Sequence, residues 1–429
     1  MSAKLHLRRN TKPTSVELPP EIWSLIFDLA TQVPGAYDPD CLALAFTHPP
    51  SKFQIQETKK SLSSRSRLIR VCKLWSIFAL KNLFEHITVV RDASIVSLRD
   101  KLVRSREDAG TGHHLGCYTK RLDISLKTSD INKTITNLSD IIRCLPNLSF
   151  IKIFLNNTNR PVSRFNHGRD NTAVPDPFLD ALCLSCPSLQ VLEILPRSSF
   201  YIPHTDLHRI FSSFPKLSSF RNDGDMYHLL TPGESCLHLA ASVTTVAIND
   251  LYFKSIPVAI PPDPSTFPLL QTAIFYTMIR AERQFSSFIQ IHGSTLTTIM
   301  IRFSKTSTPQ DFFCGVLRTI GTSCPGVINF MIWFDTWNWF EGPAGLTRFH
   351  FPPSIRVFGI RCKDLQADSW TYERFLLRLD PENGRILRLL DERHVKDLCQ
   401  KHTKTFKSAR RRLEPGGWQF QGPDERSLL

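Results

Sequence analysis

The chain has 429 residues and a formal net charge of +14, too long for one compact core and suited to two or three domains or to one elongated array. Apolar residues make up 41% and charged residues 21%, which excludes a chain disordered throughout, and no apolar run reaches the roughly 18–20 residues of a membrane-spanning helix. So basic a balance admits acidic partners without choosing among nucleic acid, anionic membrane and acidic protein.

Residues 1–15 are polar and basic and are expected to be disordered. Pro19 and Pro20 then mark a helix start, where a missing N–H costs nothing. Ile22, Ile26 and Leu29 follow at helical spacing, and Trp23 and Phe27 widen the apolar stripe. A second helical period runs through Leu68, Val71, Cys72, Trp75 and Phe78, followed by an apolar segment to Phe84 and a strand-like Ile87-Thr88-Val89-Val90. Between the two helices, Thr31 to Ser64 is rich in Pro and Ser and predicts a loop, with one short helix near Asp40 to Phe46.

Leu18-Pro19-x-Glu21-Ile22, then Ile26-Phe27, then Val71-Cys72-x-x-Trp75, taken together, resemble an F-box of the type abundant in mushroom-forming fungi. The resemblance covers residues 16–90. It implies a three-helix hook that docks onto a Skp-family adaptor, which bridges to a cullin–RING ubiquitin ligase. By the same resemblance, Leu18, Pro19, Ile22, Ile26, Phe27, Val71, Cys72 and Trp75 divide between adaptor contact and the hook's own small core. The chain departs from the family in spacing: Phe27 and Val71 stand further apart than usual, so an insert over about 31–64 must loop out.

From residue 110 to 365 one phrase recurs: an apolar residue or Cys, Pro, any residue, then three Leu-like positions. It reads Leu145-Pro146-Asn147-Leu148 with Ile151 and Ile153, and Cys186-Pro187-Ser188-Leu189 with Leu192 and Ile194. Phe214-Pro215, Phe267-Pro268, Cys324-Pro325 and Pro352-Pro353 begin further copies, and the spacing occurs without proline near 117, 241 and 294. Most intervals match the roughly 20–29 residues of a leucine-rich repeat, with one insertion between Asn156 and Pro177. The residues before several prolines are helical in pattern, so each unit predicts helix, Pro-containing turn and short strand. This resembles the leucine-rich arrays often joined to F-boxes, which implies an α/β solenoid with strands lining a concave face. Unrelated β-α units in an ordinary α/β domain are the alternative.

Residues flanking the last two core positions of each strand should face the concavity: Lys152, Phe154, Glu193, Arg221, Asp223, Asn249, Met300, Arg302, Met331, Trp333 and Arg361. Arg221, Arg302 and Arg361 are expected in comparable slots, joined by Lys152, with Trp333 as apolar anchor at the head of an aromatic run to Phe340. These five mark a candidate substrate surface for an acidic or phosphorylated protein segment. Equally, the rings could cap one end of the core.

Residues 366–429 predict a helical, basic cap and tail, with helices over Trp370–Leu379, Arg385–Leu390 and Asp391–Arg412. Lys401, Lys404, Lys407, Arg410, Arg411 and Arg412 read either as an import signal or nucleic-acid contact, or as a solvated helix face that closes the array.

No motif of known catalytic or metal-binding chemistry stands out in the sequence. Eleven cysteines are scattered, and residues 1–12 carry four cations with no apolar stretch behind them. Both facts predict reduced thiols in cytoplasm and/or nucleus. Cys183-x-x-Cys186 lacks a second ligand pair for zinc and reads as two core thiols. His113-His114 is a lone doublet, and no nucleotide loop, nucleophile elbow or metalloprotease motif occurs. The expectation is a non-catalytic protein with no catalytic residue, metal or cofactor. Its expected partners are a Skp-family adaptor, a cullin through it, and a protein substrate. No membrane partner is expected and nucleic acid is disfavoured. A repeat scaffold whose F-box no longer binds an adaptor, and a nucleic-acid binder using the basic tail, remain as alternatives.

Overall fold

The computed structural model describes residues 18–32, 37, 52–110, 112–158, 172–195, 200–222, 240–249, 267–276, 282–303, 309–334, 348–362, 369–423 and 425–428. The expected disorder at 1–15, the short helix near Asp40 to Phe46, Asp223 and the aromatic run beyond Phe334 lie outside them.

Three helices open the described chain: α1 (Pro20–Thr31), α2 (Lys52–Leu68) and α3 (Lys73–Glu85). Pro19 and Pro20 start α1 in extended-to-helical geometry, and Glu21 in the first turn complements the helix dipole. Cys72 caps α3, its sulfur accepting from the Trp75 N–H at 3.5 Å. The three helices pack on one another, with Trp23, Phe27 and Trp75 in mutual contact at ring separations of 5.2–5.8 Å.

The Ser-rich half of the insert is therefore not loop. Residues 52–68 form a helix of 17 residues that no apolar periodicity announces, and two of its polar side chains meet the end of α1. The carbonyl of Thr31, which ends α1 without an intrahelical donor, accepts from Ser61 Oγ (2.5 Å) and Arg65 Nη2 (3.1 Å) of α2. The Thr31 hydroxyl donates to Phe27 O (2.7 Å) and accepts from Asn82 Nδ2 of α3 (3.2 Å). Thr31, Ser61, Arg65 and Asn82 are all buried, so one helix end becomes the polar junction of three helices.

α3 runs directly into β1 (His86–Val89), the first strand of a twelve-stranded sheet. The others are β2 (Arg121–Thr128), β3 (Phe150–Asn157), β5 (Val191–Ile194), β7 (Ser219–Arg221), β8 (Thr245–Asn249), β9 (Thr272–Tyr276), β10 (Thr298–Arg302), β11 (Asn329–Phe334), β12 (Val357–Cys362), β13 (Ile386–Leu389) and β14 (Gln419–Gln421). β4 (Thr172–Ala173) and β6 (Phe200–Tyr201) form a separate parallel pair. Every strand of the large sheet pairs in parallel with its neighbours in chain order. The protein is thus α/β, and strands expected around Ile151, Ile153, Leu192, Ile194, Phe330, Ile332, Phe358 and Ile360 are parallel as expected.

The recurring phrase explains the regularity. In each copy the carbonyl of the residue before the proline accepts from the N–H three residues on. The pairs are Leu145 to Leu148, Cys186 to Leu189, Phe214 to Leu217, Phe267 to Leu270, Cys324 to Val327 and Pro352 to Ile355. Proline at the second position of such a turn is already at the required φ. Ala240 to Val243 closes the same turn without proline, and His292 to Thr295 closes a similar one a residue earlier in the repeat. After each turn alternate residues point to opposite faces. Those on one face, from Leu122 and Ile124 through Ile299 and Ile301 to Phe358 and Ile360, are buried in a single core with the helices.

Those helices are α4 (Asp92–Ala109), α5 (Ile131–Arg143), α6 (Asp176–Ser185), α7 (His204–Ser213), α8 (Glu282–His292), α9 (Pro309–Ser323), α10 (Ser369–Leu377), α11 (Glu392–Lys396) and α12 (Thr403–Leu413). Gly110, at φ 55°, ends α4 in a conformation that a side chain would strain.

The carboxy-terminal segment departs from expectation. Residues 386–389, predicted helical, form β13 between β12 and β14. Ile386-Leu387-Arg388-Leu389 is a short apolar run whose period does not separate helix from strand; the open edge of β12 decides for strand. The predicted Asp391–Arg412 helix is instead α11, one wider turn over Asp397–Lys401 and then α12. The last edge is closed by the chain itself: Gln421 bridges Ser427, and the Leu428 N–H donates to Phe420 O at 2.8 Å.

Candidate functional site

Two surfaces carry unusual chemistry. The first lies on the three-helix unit. α1 has two apolar stripes: Trp23 and Phe27 turn inward, whereas Ile22, Leu25, Ile26 and Leu29 turn outward. Leu25 is 54% and Leu29 66% exposed. On and before α3, Val71, Leu74 and Ile77 are likewise exposed, Ile77 at 70%. A helix apolar on both sides satisfies only one of them within its own chain.

The eight predicted adaptor residues divide accordingly. Phe27 is buried and Trp75 half-buried in the aromatic cluster, Leu18 is half-buried, and Pro19, Ile22, Ile26, Val71 and Cys72 are exposed. Cys72 serves as a cap. Leu25, Leu74 and Ile77 were not foreseen, and Leu29, already read as part of the stripe with Ile22 and Ile26, was not carried into the adaptor set; the i, i+3, i+4, i+7 spacing from Ile22 to Leu29 was the available signal.

The second surface is the sheet face opposite the helices, where parallel register sorts side chains into rows. One row holds Asp123, Lys152, Glu193, Arg221, Ala247, Ile274, Met300, Met331 and Gly359 on successive strands. The next holds Phe154, Tyr276, Arg302, Trp333 and Arg361. Arg221 is therefore not in the slot of Arg302 and Arg361. It stands six residues after Pro215, whereas Arg302 and Arg361 stand eight after the matching positions Ser294 and Pro353, so its row differs. Lys152 shares the row of Arg221 and is occupied with Glu193 at 3.5 Å, rather than adding its charge to the arginines.

At the amino-terminal end the charges alternate and compensate. Asp123 accepts from His86 Nε2 (2.9 Å) and from Arg121 Nε (3.1 Å). Burial alone would raise the Asp123 pKa, but these hydrogen bonds and the Arg121 charge hold its carboxyl far below the usual range. Toward β12 the row composition changes. Ala247, Ile274, Tyr276, Met300, Met331 and Leu390 form a second, small apolar core with Trp333 packed against it. Above it, the guanidinium carbons of Arg302 and Arg361 lie 4.2 Å and 4.1 Å from the Trp333 ring centroid, and that of Arg221 lies 4.4 Å from the Tyr276 ring. Trp333 and Tyr276 thus stand inside this face, stacked with arginines, whereas Phe334 joins the main core and the rest of the aromatic run lies outside the described residues.

Other sequence candidates resolve as structure. Cys186 is buried, and burial pushes its thiol up to about 12, a poor nucleophile. Cys183 is only half-buried at the core's edge. Of the six tail cations, Lys401 pairs with Asp397 and Arg410 with Glu414, and Arg412 donates to the carbonyls of Leu376 and Leu379. Among the described residues no cluster of His, Cys, Asp and Glu suits a metal ion, and no helix is long and apolar enough to cross a membrane. No protein-family model matches the chain, and no curated protein matches it.

Proposed function

We propose that this protein is a non-catalytic substrate receptor of a Skp–cullin–F-box ubiquitin ligase. The three-helix unit docks the Skp-family adaptor, and the face of the parallel sheet opposite the helices holds a protein substrate. The observation that carries this reading is the outward apolar face of Ile22, Leu25, Ile26 and Leu29. It belongs to the segment whose Leu-Pro, Ile-Phe and Val-Cys-x-x-Trp order resembles an F-box. The sequential parallel sheet, with a turn of constant chemistry before most strands, supports a degenerate leucine-rich-repeat solenoid as the substrate-holding part. In this role the chain supplies proximity, and the chemistry of ubiquitin transfer belongs to its partners.

Co-purification of the full chain with a Skp-family adaptor tests the reading. Capture is expected from the intact protein. Leu25→Glu with Leu29→Glu should abolish it while the melting profile stays unchanged, because both side chains lie in solvent. Ile26→Ala with Phe27→Ala should abolish it too, with some loss of stability from the buried Phe27. Failure of the intact chain to capture an adaptor, or undiminished capture by the Leu25/Leu29 variant, would overturn the assignment.

A further inference from the structure

We propose that the sheet face opposite the helices carries an oxyanion-binding site over β10–β12, where Arg302, Trp333 and Arg361 take a carboxylate or phosphate group. The three residues are register partners on adjacent strands, so they stand in one line about 5 Å apart per step. Trp333 lies between the two arginines. Each guanidinium packs a face against the same indole, and a stacked guanidinium keeps its in-plane N–H donors directed past the ring edge. The stack fixes the position of the charges without using their hydrogen bonds.

Arg361 makes the case specific. It is only 7% exposed, and its Nε has no hydrogen-bond acceptor. The Trp333 Nε1–H beside it is likewise buried and without an acceptor. Buried donors are nearly always paired, and a buried arginine is nearly always neutralised. The nearby carboxylate, Asp391, offsets this charge only in part, and its hydrogen bonds go elsewhere. Arg393 takes it through Nη2 (2.6 Å), Nε (3.0 Å) and its backbone N–H (2.9 Å). Glu193, further along the face, is occupied with Lys152. Two neighbouring buried donors without acceptors and a recessed positive charge that Asp391 offsets only in part therefore stand side by side. Arg302 and Trp333 keep part of their surface in solvent, which leaves the row reachable from outside.

The electrostatics agree with the geometry. Burial, with repulsion from Arg393 and Arg302 and partly offset by Asp391, pushes the Arg361 pKa down to about 10. Arg361 is still charged at neutral pH, and an anion beside it would stabilise that charge. Both sources of the anion, a free small oxyanion or an acidic or phosphorylated side chain of a bound polypeptide, present the same planar or tetrahedral oxygens to the forks. The site stands whether or not the helical unit captures an adaptor.

Isothermal titration of the full-length protein tests this in two arms. The first uses inorganic phosphate. The second uses a short phosphoserine peptide beside its unphosphorylated counterpart. Saturable binding is expected in at least one arm, weakening as salt rises. Arg302→Gln and Arg361→Gln should each weaken it roughly tenfold or more, the loss expected for a charge-assisted hydrogen bond. Trp333→Phe, which keeps a ring but removes the indole N–H, should weaken it less. Binding of phosphate alone identifies a free oxyanion as the ligand; binding of the phosphopeptide alone identifies a partner's side chain. If Arg361→Gln does not fold, the half-exposed Arg302→Gln decides. No binding in either arm at millimolar ligand, or binding unchanged in the arginine variants that fold, overturns the proposal. Adaptor capture measured on the same variants should be unaffected, which separates this failure from failure of the ligase reading.

Discussion

The three-helix unit and the parallel sheet solve opposite problems. In the helical unit the inside is partly polar and the outside partly apolar: Thr31, Ser61, Arg65 and Asn82 join the helices, while Leu25, Leu29 and Ile77 stand in water. In the sheet the order is conventional on one face, where Leu, Ile and Phe pack under helices. On the other, charge, apolar side chains and stacked rings share the rows. The difference teaches that exposure of an apolar residue is informative only where its element has already satisfied its core with other residues.

Truncation should break the two regions unequally. Phe358 is fully buried among Phe313, Phe330, Phe351 and Phe375. Phe358→Ala should cost about 3–5 kcal/mol in a denaturant melt, by lost transfer energy and the cavity left behind. Leu29→Ala, the same kind of deletion on the exposed helical face, should change stability by no more than about 0.5 kcal/mol. Equal losses would mean that the outward stripe of α1 is covered within this chain.

A smaller effect sharpens the helical side. Thr31→Val keeps the shape but strips the hydroxyl that Asn82 donates to, leaving a buried amide unpaired. Unfolding followed by Trp fluorescence should show a loss of about 1–3 kcal/mol. A variant as stable as the wild type would remove the polar junction from the account.

Acid should act on the sheet's carboxy-terminal end. His394 is buried, with Nε2 bonded to Cys362 O at 2.6 Å, and burial lowers its pKa from the ordinary value despite that bond and the nearby carboxylates. The unfolded chain then binds the proton more readily than the folded one. Stability is complete above about pH 6.5 and falls as pH drops from there toward the folded value, by at most about 1.4 kcal/mol per pH unit from this group. Melting temperatures should therefore decline below pH 6.5 in the wild type, and the decline should be shallower in His394→Gln. An identical slope would refute the assignment. Least of all, Lys404→Gln with Lys407→Gln should move the melt by under about 0.5 kcal/mol, since both side chains lie exposed on α12.

What could be read locally was what a few neighbouring residues decide. The apolar-Pro-x-Leu turn closes its own hydrogen bond, so the turns near 146, 187, 215, 268, 325 and 353 and the strands after them were legible in the chain. α1, with its strong apolar stripe, was legible for the same reason; the second predicted stripe was not one helix, because Leu68 ends α2, Val71 and Cys72 precede α3, and only Trp75 and Phe78 lie in it. The tertiary structure alone decided three things. α2 is a helix whose polar Ser61 and Arg65 meet the carbonyl that ends α1, a contact with no periodic signature. Residues 386–389 are a strand because β12 offers an unpaired edge, although the local pattern fits a helix equally well. Counting from the repeat slots already puts Arg302, Trp333 and Arg361 in one row and Arg221 with Lys152 in another, and the tertiary structure decided only that the strands pair in parallel at that register, which makes the first three direct neighbours. Turn chemistry is local, whereas a row joins residues some thirty positions apart through backbone hydrogen bonds that no single segment contains.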